Sequence, residues 1–142
     1  MTTVVYNHKD KEIAIDSRDT AGGCVMSDKA NKVIVVDDVT FFPCGAVTEI
    51  EKLIKAFIDG STEKRVIDAN AIVMCSRGVF KIGSDEDFGL WENKLDYSFA
   101  TGSGWEWAMA AMDFGKSAKD AVKYAMTRDI YTGGAVKVIK VK

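Results

Sequence analysis

Apolar and polar residues alternate over short distances in the first part of the chain, a pattern typical of β-strands. Residues 2–7 and 12–16 are rich in β-branched and aromatic side chains and flank a polar turn, which predicts a hairpin. The adjacent glycines at 22–23 predict a second turn, because glycine adopts positive φ without steric cost. Residues 24–26 and 32–36 are predicted to form two further short strands.

A helix is predicted after Gly45, where the period of the pattern changes. Apolar side chains recur from residue 47 to residue 58 at spacings of three and four, with charged residues between them. Thr48 and Glu51 have the spacing of a capping box, which predicts the start of the helix. Gly60 is placed to end it in a left-handed conformation.

A second group of strands follows this helix. Residues 71–75 and 79–82 predict a hairpin around a turn at 76–78. The acidic, glycine-containing segment 84–93 predicts a loop or an irregular edge, and residues 97–100 predict a short strand.

Two helices and a strand complete the chain. The helices are predicted over residues 104–114 and 118–127, the second with Ser117 as its N-cap. Residues 135–141 mix apolar residues with lysines, which predicts a strand with one buried face. Because the strands occur in runs and do not alternate singly with helices, the order favours an α+β layered fold over a regular βαβ array.

Length and composition narrow the class of protein. The 142 residues fit one domain, and no linker or repeat divides them, so we expect a single domain over residues 1–142. The content of 47% apolar and 10% aromatic residues excludes wholesale disorder. A net charge of -2 argues against a nucleic-acid partner. No apolar run approaches the roughly 20 residues that a membrane span needs, so we expect no membrane association.

The cysteines and the start of the chain bear on its compartment. Cys24, Cys44 and Cys75 are odd in number and form no Cys-x-x-Cys motif, which argues against a disulfide framework or a zinc site. The first residues show no signal-peptide pattern. We therefore expect a cytoplasmic protein that needs no metal and no cofactor.

The second residue carries the most distinctive chemistry. If Met1 is removed, Thr2 has a hydroxyl and an α-amine on one residue, and an amine with an ordinary pKa of about 8 can accept the hydroxyl proton. His8 is the only histidine and no Gly-x-Ser-x-Gly motif is present, which disfavours a Ser–His–Asp site. Taken alone, a threonine at this position is more often simply a residue of the first strand.

Several blocks of sequence, taken together, resemble one known family. They are Thr2-Thr3 with the two valines after it, residues 14–23 (AIDSRDTAGG), Lys32, residues 100–104 (ATGSG) and residues 127–134 (TRDIYTGG). In this order and across nearly the whole chain they resemble the proteasome β-subunit and the related bacterial peptidase HslV, which are N-terminal-nucleophile (Ntn) hydrolases. The resemblance implies two stacked antiparallel sheets with helix layers outside them, the αββα sandwich.

The same resemblance implies roles for individual residues. Thr2 would be the nucleophile, with its own amine as proton acceptor. Lys32 would lie beside the Thr2 hydroxyl, and Asp16 would pair with Lys32. The alternative for that pair is an ordinary surface salt bridge.

Three further residues are implied to orient the amine. These are Ser103, Asp129 and Thr132, the last at a position where the family often has serine. Ser103 also has the place of a helix N-cap, and the two roles are compatible.

A glycine is implied to complete the site. Gly45 would donate its backbone N–H to the oxyanion, although the segment 41–49 (FFPCGAVTE) departs from the family pattern, which has a Gly-Asp pair where Thr48-Glu49 stands. Thr20 and Val47 would present backbone to an extended substrate. Pro43 and Val47 would line an apolar pocket beside the scissile bond.

The implied activity is that of a threonine endopeptidase acting on peptides or unfolded proteins inside a homo-oligomeric ring, with a possible ATPase unfoldase as partner. Two alternatives remain. If Met1 stays attached, its amide removes the base, and the chain would be an inactive assembly protein of proteasome type. The other alternative is an Ntn amidase that acts on a small amide.

Overall fold

The computed structural model describes all 142 residues and divides the chain into two compact units. One unit contains residues 1–32 and 96–142, and the other contains residues 33–95. Strands and helices together make up an α+β fold, as the sequence predicted. The single domain over residues 1–142 stays a prediction.

Eleven strands and three helices follow one another along the chain. The strands are β1 (Thr3–Asn7), β2 (Glu12–Ile15), β3 (Asp19–Ala21), β4 (Cys24–Ser27), β5 (Ile34–Val36), β6 (Val39–Gly45), β7 (Ala69–Cys75), β8 (Gly78–Asp85), β9 (Gly89–Lys94), β10 (Phe99–Gly102) and β11 (Lys137–Lys140). The helices are α1 (Val47–Asp59), α2 (Trp105–Asp113) and α3 (Ala118–Met126). None of the helices has the length and apolar character that a membrane span requires.

The unit formed by the two ends of the chain is an antiparallel sheet covered by two helices. Its strand order is β10-β1-β2-β11, and α2 and α3 pack against the sheet. The core between them consists mainly of small side chains, namely Val5, Ala14, Ala100, Ala108, Ala111, Ala118, Ala121, Val122 and Ala125. Because alanine projects little beyond the backbone, both helices lie close to the sheet.

The ends of these elements test several predictions. The N-cap at Ser117 is confirmed, since its side chain accepts a hydrogen bond from the backbone N–H of Asp120. The turn between β3 and β4 is confirmed as well, with both glycines at positive φ. The buried face expected for β11 is wrong in part: Val138 is 37% exposed, because β11 is the outer strand of its sheet.

The unit of residues 33–95 is a five-stranded antiparallel meander, β5-β6-β7-β8-β9, with α1 packed on β6 and β7. Large apolar side chains fill its core: Phe41, Leu53, Ala56, Ile67, Ala71, Val73, Phe80 and Ile82. The end of α1 at Gly60 is confirmed, because this glycine has a φ of 64° and donates its N–H to the last turn.

The capping box predicted for α1 is wrong. The helix begins at Val47, one residue before Thr48, and Ala46 occupies the N-cap position without a side-chain hydrogen bond. Strand β6 runs through Gly45 almost directly into the helix, so Thr48 lies inside the first turn, where its hydroxyl cannot cap.

Of the two predictions for residues 84–93, the loop is wrong and the edge is confirmed, since β9 is the outer strand of its sheet. Strand β8 continues to Asp85 and pairs with β9, and the Asp85 carboxylate closes the turn by accepting from the N–H groups of Asp87 and Phe88. The segment is polar because β9 is an outer strand, where polar side chains can remain in water.

Strand β6 was not predicted, because its apolar run lacks alternation and contains Pro43. In the structure β5 pairs only with residues 39–41 of β6, so Pro43 has β7 as its one neighbouring strand in this sheet. A proline without its N–H is tolerated where only one side of a strand is paired.

Candidate active site

Thr2 lies immediately before β1, with its hydroxyl against the ammonium of Lys32. Thr2 is 6% exposed, and Lys32 Nζ donates to Thr2 Oγ1 at 2.8 Å. The same ammonium donates to the carbonyl oxygen of Met1 at 3.0 Å and to Asp16 Oδ1 at 3.1 Å. Its three protons are therefore all used, and the Thr2 oxygen accepts from a positive charge while its own proton is left for transfer.

Asp16, directly after β2, holds Lys32 in this position. Its Oδ1 accepts from the Thr3 N–H at 3.2 Å as well as from Lys32, and its Oδ2 accepts from the N–H groups of Gly133 at 3.0 Å and Arg18 at 3.3 Å. The Asp16 side chain is completely buried and that of Lys32 is 13% exposed. The alternative of a surface salt bridge is therefore wrong.

A second polar cluster lies on the other side of the Thr2 backbone. Asp129 and Thr132 are in the segment after α3, and both are buried. Asp129 Oδ2 accepts from Thr132 Oγ1 at 2.6 Å and from the Ser103 hydroxyl. Thr132 Oγ1 in turn lies 2.6 Å from Thr3 Oγ1. The structure thus brings the three predicted residues together around one carboxylate.

This cluster contacts Thr2 through its carbonyl group. The N–H of Ser103 donates to the Thr2 carbonyl oxygen at 2.8 Å, and the Ser103 hydroxyl lies 3.5 Å from the same oxygen. Asp129 lies behind Ser103. The predicted role of these groups in orienting a free Thr2 amine stays a prediction.

The glycines beside Ser103 are required by close packing. Gly102 has a φ of 99°, and a Cβ there would lie 1.8 Å from the Thr2 carbonyl oxygen. A Cβ at Gly104 would lie 2.4 Å from Thr3 Oγ1. The Gly-Ser-Gly sequence therefore allows this turn to approach the start of β1.

An ion pair that sequence reasoning missed joins two segments of the site. The Arg18 guanidinium donates Nε and Nη2 to both carboxylate oxygens of Asp28, at 2.8 and 3.1 Å, and Nη1 to the carbonyl of Ile130 at 3.0 Å. The hydrogen bond from Arg18 lowers the pKa of Asp28 and raises that of Arg18. The pair connects the loop before Lys32 with the segment that carries Asp129.

Sequence reasoning gives Thr3 no role, although its backbone N–H donates to Asp16 and its hydroxyl contacts Thr132. The only signal for it was the repeated threonine at the start of the chain. Arg18 likewise stands within the Asp-Ser-Arg motif, but nothing in the sequence indicates its partner, because Asp28 is ten residues away across the β3–β4 hairpin.

The remaining predicted residues lie elsewhere along the chain. Thr20 is the middle residue of β3, Pro43 is buried in β6, and Val47, the first residue of α1, is 70% exposed. Gly45 ends β6 with a φ of 131°, and a Cβ there would lie 2.9 Å from the carbonyl oxygen of Asp68. Packing within its own unit is thus sufficient reason for this glycine. The predicted oxyanion and substrate contacts of the four residues stay predictions.

Comparison with known proteins identifies the fold. No protein-family model matches the chain, and no curated protein matches it significantly by sequence. Among solved structures, HslV from Trypanosoma brucei is 20% identical, with a TM-score of 0.72 over 97% of this chain and 98% of its own. BPH from Thiobacillus denitrificans in complex with epoxomicin is 20% identical, with a TM-score of 0.73 over 99% of this chain and 100% of its own. Another structure of BPH from the same organism is 21% identical, with a TM-score of 0.67 over 99% and 98%.

At these identities the similarity defines the fold. The chain has the fold of HslV, so the α+β sandwich fold expected from the sequence is confirmed. The resemblance stated from the motifs is thereby confirmed at the level of the fold.

Proposed function

We propose that this chain is a threonine peptidase of the proteasome and HslV type, with Thr2 as its nucleophile. The observation that carries the proposal is the 2.8 Å hydrogen bond from Lys32 Nζ to Thr2 Oγ1. A buried ammonium beside a hydroxyl oxygen stabilises the negative charge that develops when the oxygen loses its proton. The HslV fold and the epoxomicin complex of BPH support the assignment.

The reaction begins once removal of Met1 has made the Thr2 nitrogen a primary amine. The amine accepts the hydroxyl proton, and Thr2 Oγ1 attacks the peptide carbonyl to form a tetrahedral intermediate. The intermediate collapses to an ester with Thr2, and the proton passes from the ammonium to the leaving amine. The same amine then takes a proton from a water molecule, whose oxygen attacks the ester. The bond between the acyl carbon and Thr2 Oγ1 breaks, the ammonium returns its proton to Oγ1, and the acid is released.

The surrounding residues have separate tasks in this scheme. Lys32 stabilises the charged oxygen, and Asp16 keeps Lys32 charged and fixed through a buried ion pair. Ser103, Asp129 and Thr132 hold the Thr2 backbone so that the new amine faces the hydroxyl. The backbone N–H of Gly45 would stabilise the oxyanion.

The substrate and the assembly complete the proposal. Thr20 and Val47 would pair with an extended peptide, and Pro43 with Val47 would favour an apolar residue next to the scissile bond. The chain would act as one domain within a cytoplasmic homo-oligomeric ring on peptides or unfolded proteins, with an ATPase unfoldase as partner. Exposed aromatic residues on and after α2, Trp105, Trp107 and Phe114, suit a contact between copies of the chain.

The test uses the full chain with a free Thr2, produced as a fusion that is cleaved directly before this residue and checked by intact-mass spectrometry. Fluorogenic peptides report hydrolysis, and a peptide epoxyketone reports a covalent Thr2 adduct. We expect Thr2→Ala to abolish both signals and Thr2→Ser to keep both. The control Thr62→Ala, at an exposed position, leaves both unchanged.

Three outcomes separate the candidate functions. Peptide hydrolysis that disappears in Thr2→Ala supports the peptidase. Turnover of small amides alone identifies an amidase. If the chain with a free Thr2 neither hydrolyses substrates nor forms the adduct, it is not a peptidase. The remaining candidate is then the inactive assembly protein of proteasome type.

A further inference from the structure

Thr3, the residue after the proposed nucleophile, contacts both polar clusters of the site. It is completely buried. Its backbone N–H donates to Asp16 Oδ1 at 3.2 Å, and its hydroxyl accepts from the N–H of Gly104 at 3.1 Å and lies 2.6 Å from Thr132 Oγ1. Thr3 therefore joins the side chain of Asp16, the partner of Lys32, to that of Thr132, the partner of Asp129.

The direction of every hydrogen bond from this hydroxyl follows from the chemistry of its neighbours. An ionised carboxylate accepts only, so Thr132 must donate its one hydroxyl proton to Asp129. Thr132 can therefore only accept from Thr3, and the Thr3 oxygen accepts from the N–H of Gly104. The chain of donors is fixed from the start of α2 to the carboxylate, and no hydroxyl in it can rotate without losing a bond.

This series of hydrogen bonds fixes the backbone that carries Thr2. The Thr2 carbonyl oxygen is held by the N–H of Ser103 at 2.8 Å, and Thr3 is held through both its backbone and its side chain. Lys32 reaches Thr2 with a long side chain, so the separation of the ammonium and the hydroxyl oxygen depends on where this backbone lies.

We propose that Thr3 is a positioning residue, whose hydroxyl holds the start of β1 against Thr132 and Gly104 and so sets the place of Thr2 Oγ1 beside Lys32. Its catalytic consequence rests on the proposed function. Both parts of the threonine side chain serve this role. The hydroxyl supplies the bonds, and the β-branch restricts χ1 to the rotamer that makes them.

Two substitutions separate the two parts. Thr3→Val keeps the shape and removes the hydroxyl, whereas Thr3→Ser keeps the hydroxyl and removes the methyl group. In the full chain with a free Thr2, we expect Thr3→Val to lower kcat by about 10- to 100-fold, because a small displacement of a nucleophile has costs of this order. We expect KM to change little, since Thr3 is completely buried, and Thr3→Ser to recover most of kcat.

A purely structural role would give a different result. In that case Thr3→Val would lower thermal stability, but the fraction that remains folded would keep its kcat. Active-site titration with the epoxyketone counts that fraction, so kcat is expressed per competent site. An unchanged kcat per site in Thr3→Val, or a loss that Thr3→Ser does not recover, would overturn the proposal.

A measurement on the unsubstituted protein tests the hydrogen bonds of Thr3 directly. It depends neither on the folding of a variant nor on catalytic activity. A hydroxyl proton fixed between two oxygens 2.6 Å apart exchanges slowly with water, so NMR should resolve the Thr3 hydroxyl proton and its contact with Thr132. A Thr3 hydroxyl that exchanges at the solvent rate overturns the positioning role even if the enzyme is active. If the Thr3 hydroxyl is protected but the protein has no peptidase activity, the proposed function is wrong. The hydrogen bonds of Thr3 are then still present as described.

Discussion

Replacement of Asp16 by asparagine is the sharpest test of the site as a structure. The carboxylate accepts four hydrogen bonds, two on each oxygen, from Lys32, Thr3, Arg18 and Gly133. An asparagine presents one accepting oxygen and one NH2 group, so whichever way it is turned, two of the four donors face a donor. Lys32 also loses the only carboxylate within reach of its ammonium.

The cost can be worked out from the geometry. Removal of one partner from a buried ion pair costs about 3–5 kcal/mol, because the remaining charge is left without compensation. Lys32 retains the carbonyl of Met1 and the hydroxyl of Thr2 as partners, which favours the lower end of this range. We expect Asp16→Asn to lower the free energy of unfolding by about 3 kcal/mol, which is a large part of the 5–15 kcal/mol typical of a domain.

Equilibrium unfolding in urea measures this loss, and Asp28→Asn is the matched control. Asp28 also accepts from a cation, Arg18, but its side chain is 43% exposed, so water replaces the lost partner and the effect is much smaller. Equal losses of unfolding free energy in the two variants would refute the reasoning, because they would mean that burial does not strengthen the Asp16–Lys32 pair.

Two further predictions concern the backbone around Thr2 and the response to acid. Gly102→Ala forces a Cβ onto the Thr2 carbonyl, whereas Gly115→Ala, at a φ of 84° against 99° for Gly102, meets nothing within 4 Å. Urea unfolding should show Gly102→Ala to be less stable by about 1–3 kcal/mol beyond the loss in Gly115→Ala. Equal losses would contradict the close contact. The hydrogen bond from Arg18 holds the pKa of Asp28 below its ordinary value of 3.8, so this carboxylate stabilises the fold above that value and loses its contribution as the pH falls through the lowered pKa. The unfolding free energy of Asp28→Asn should therefore fall less steeply than that of the unsubstituted chain on acidification below about pH 4, and parallel curves would contradict the ion pair.

Local patterns predicted those parts of the fold that are determined locally. The hairpin of β1 and β2, the end of α1 at Gly60 and the N-cap of α3 each depend on residues within a few positions of one another. Strand β6 and the β8–β9 hairpin depend on which strands pair beside them. The proline in β6 and the polar residues of β9 are both more typical of loops than of strands, so neither strand was predicted.

The site shows the same division. The resemblance of the motifs to a known family selected Thr2, Asp16 and Lys32, and the structure brings their side chains together. The contact of Thr3 with Thr132 spans 129 positions, and no pattern in a single sequence indicates it. The capping box failed for a related reason, because the way β6 enters α1 decides which residue comes first in the helix.

The four hydrogen-bond donors around Asp16 also determine when the arrangement of Asp16, Lys32 and Thr2 can form during protein synthesis. Three of them, on residues 3, 18 and 32, leave the ribosome early, but the fourth is the N–H of Gly133, which lies 117 positions after Asp16. A growing polypeptide therefore carries the threonine and the lysine long before their arrangement is complete. Under the proposed function, hydrolytic capacity would therefore arise only after the segment that carries Gly133 has folded against the first strands.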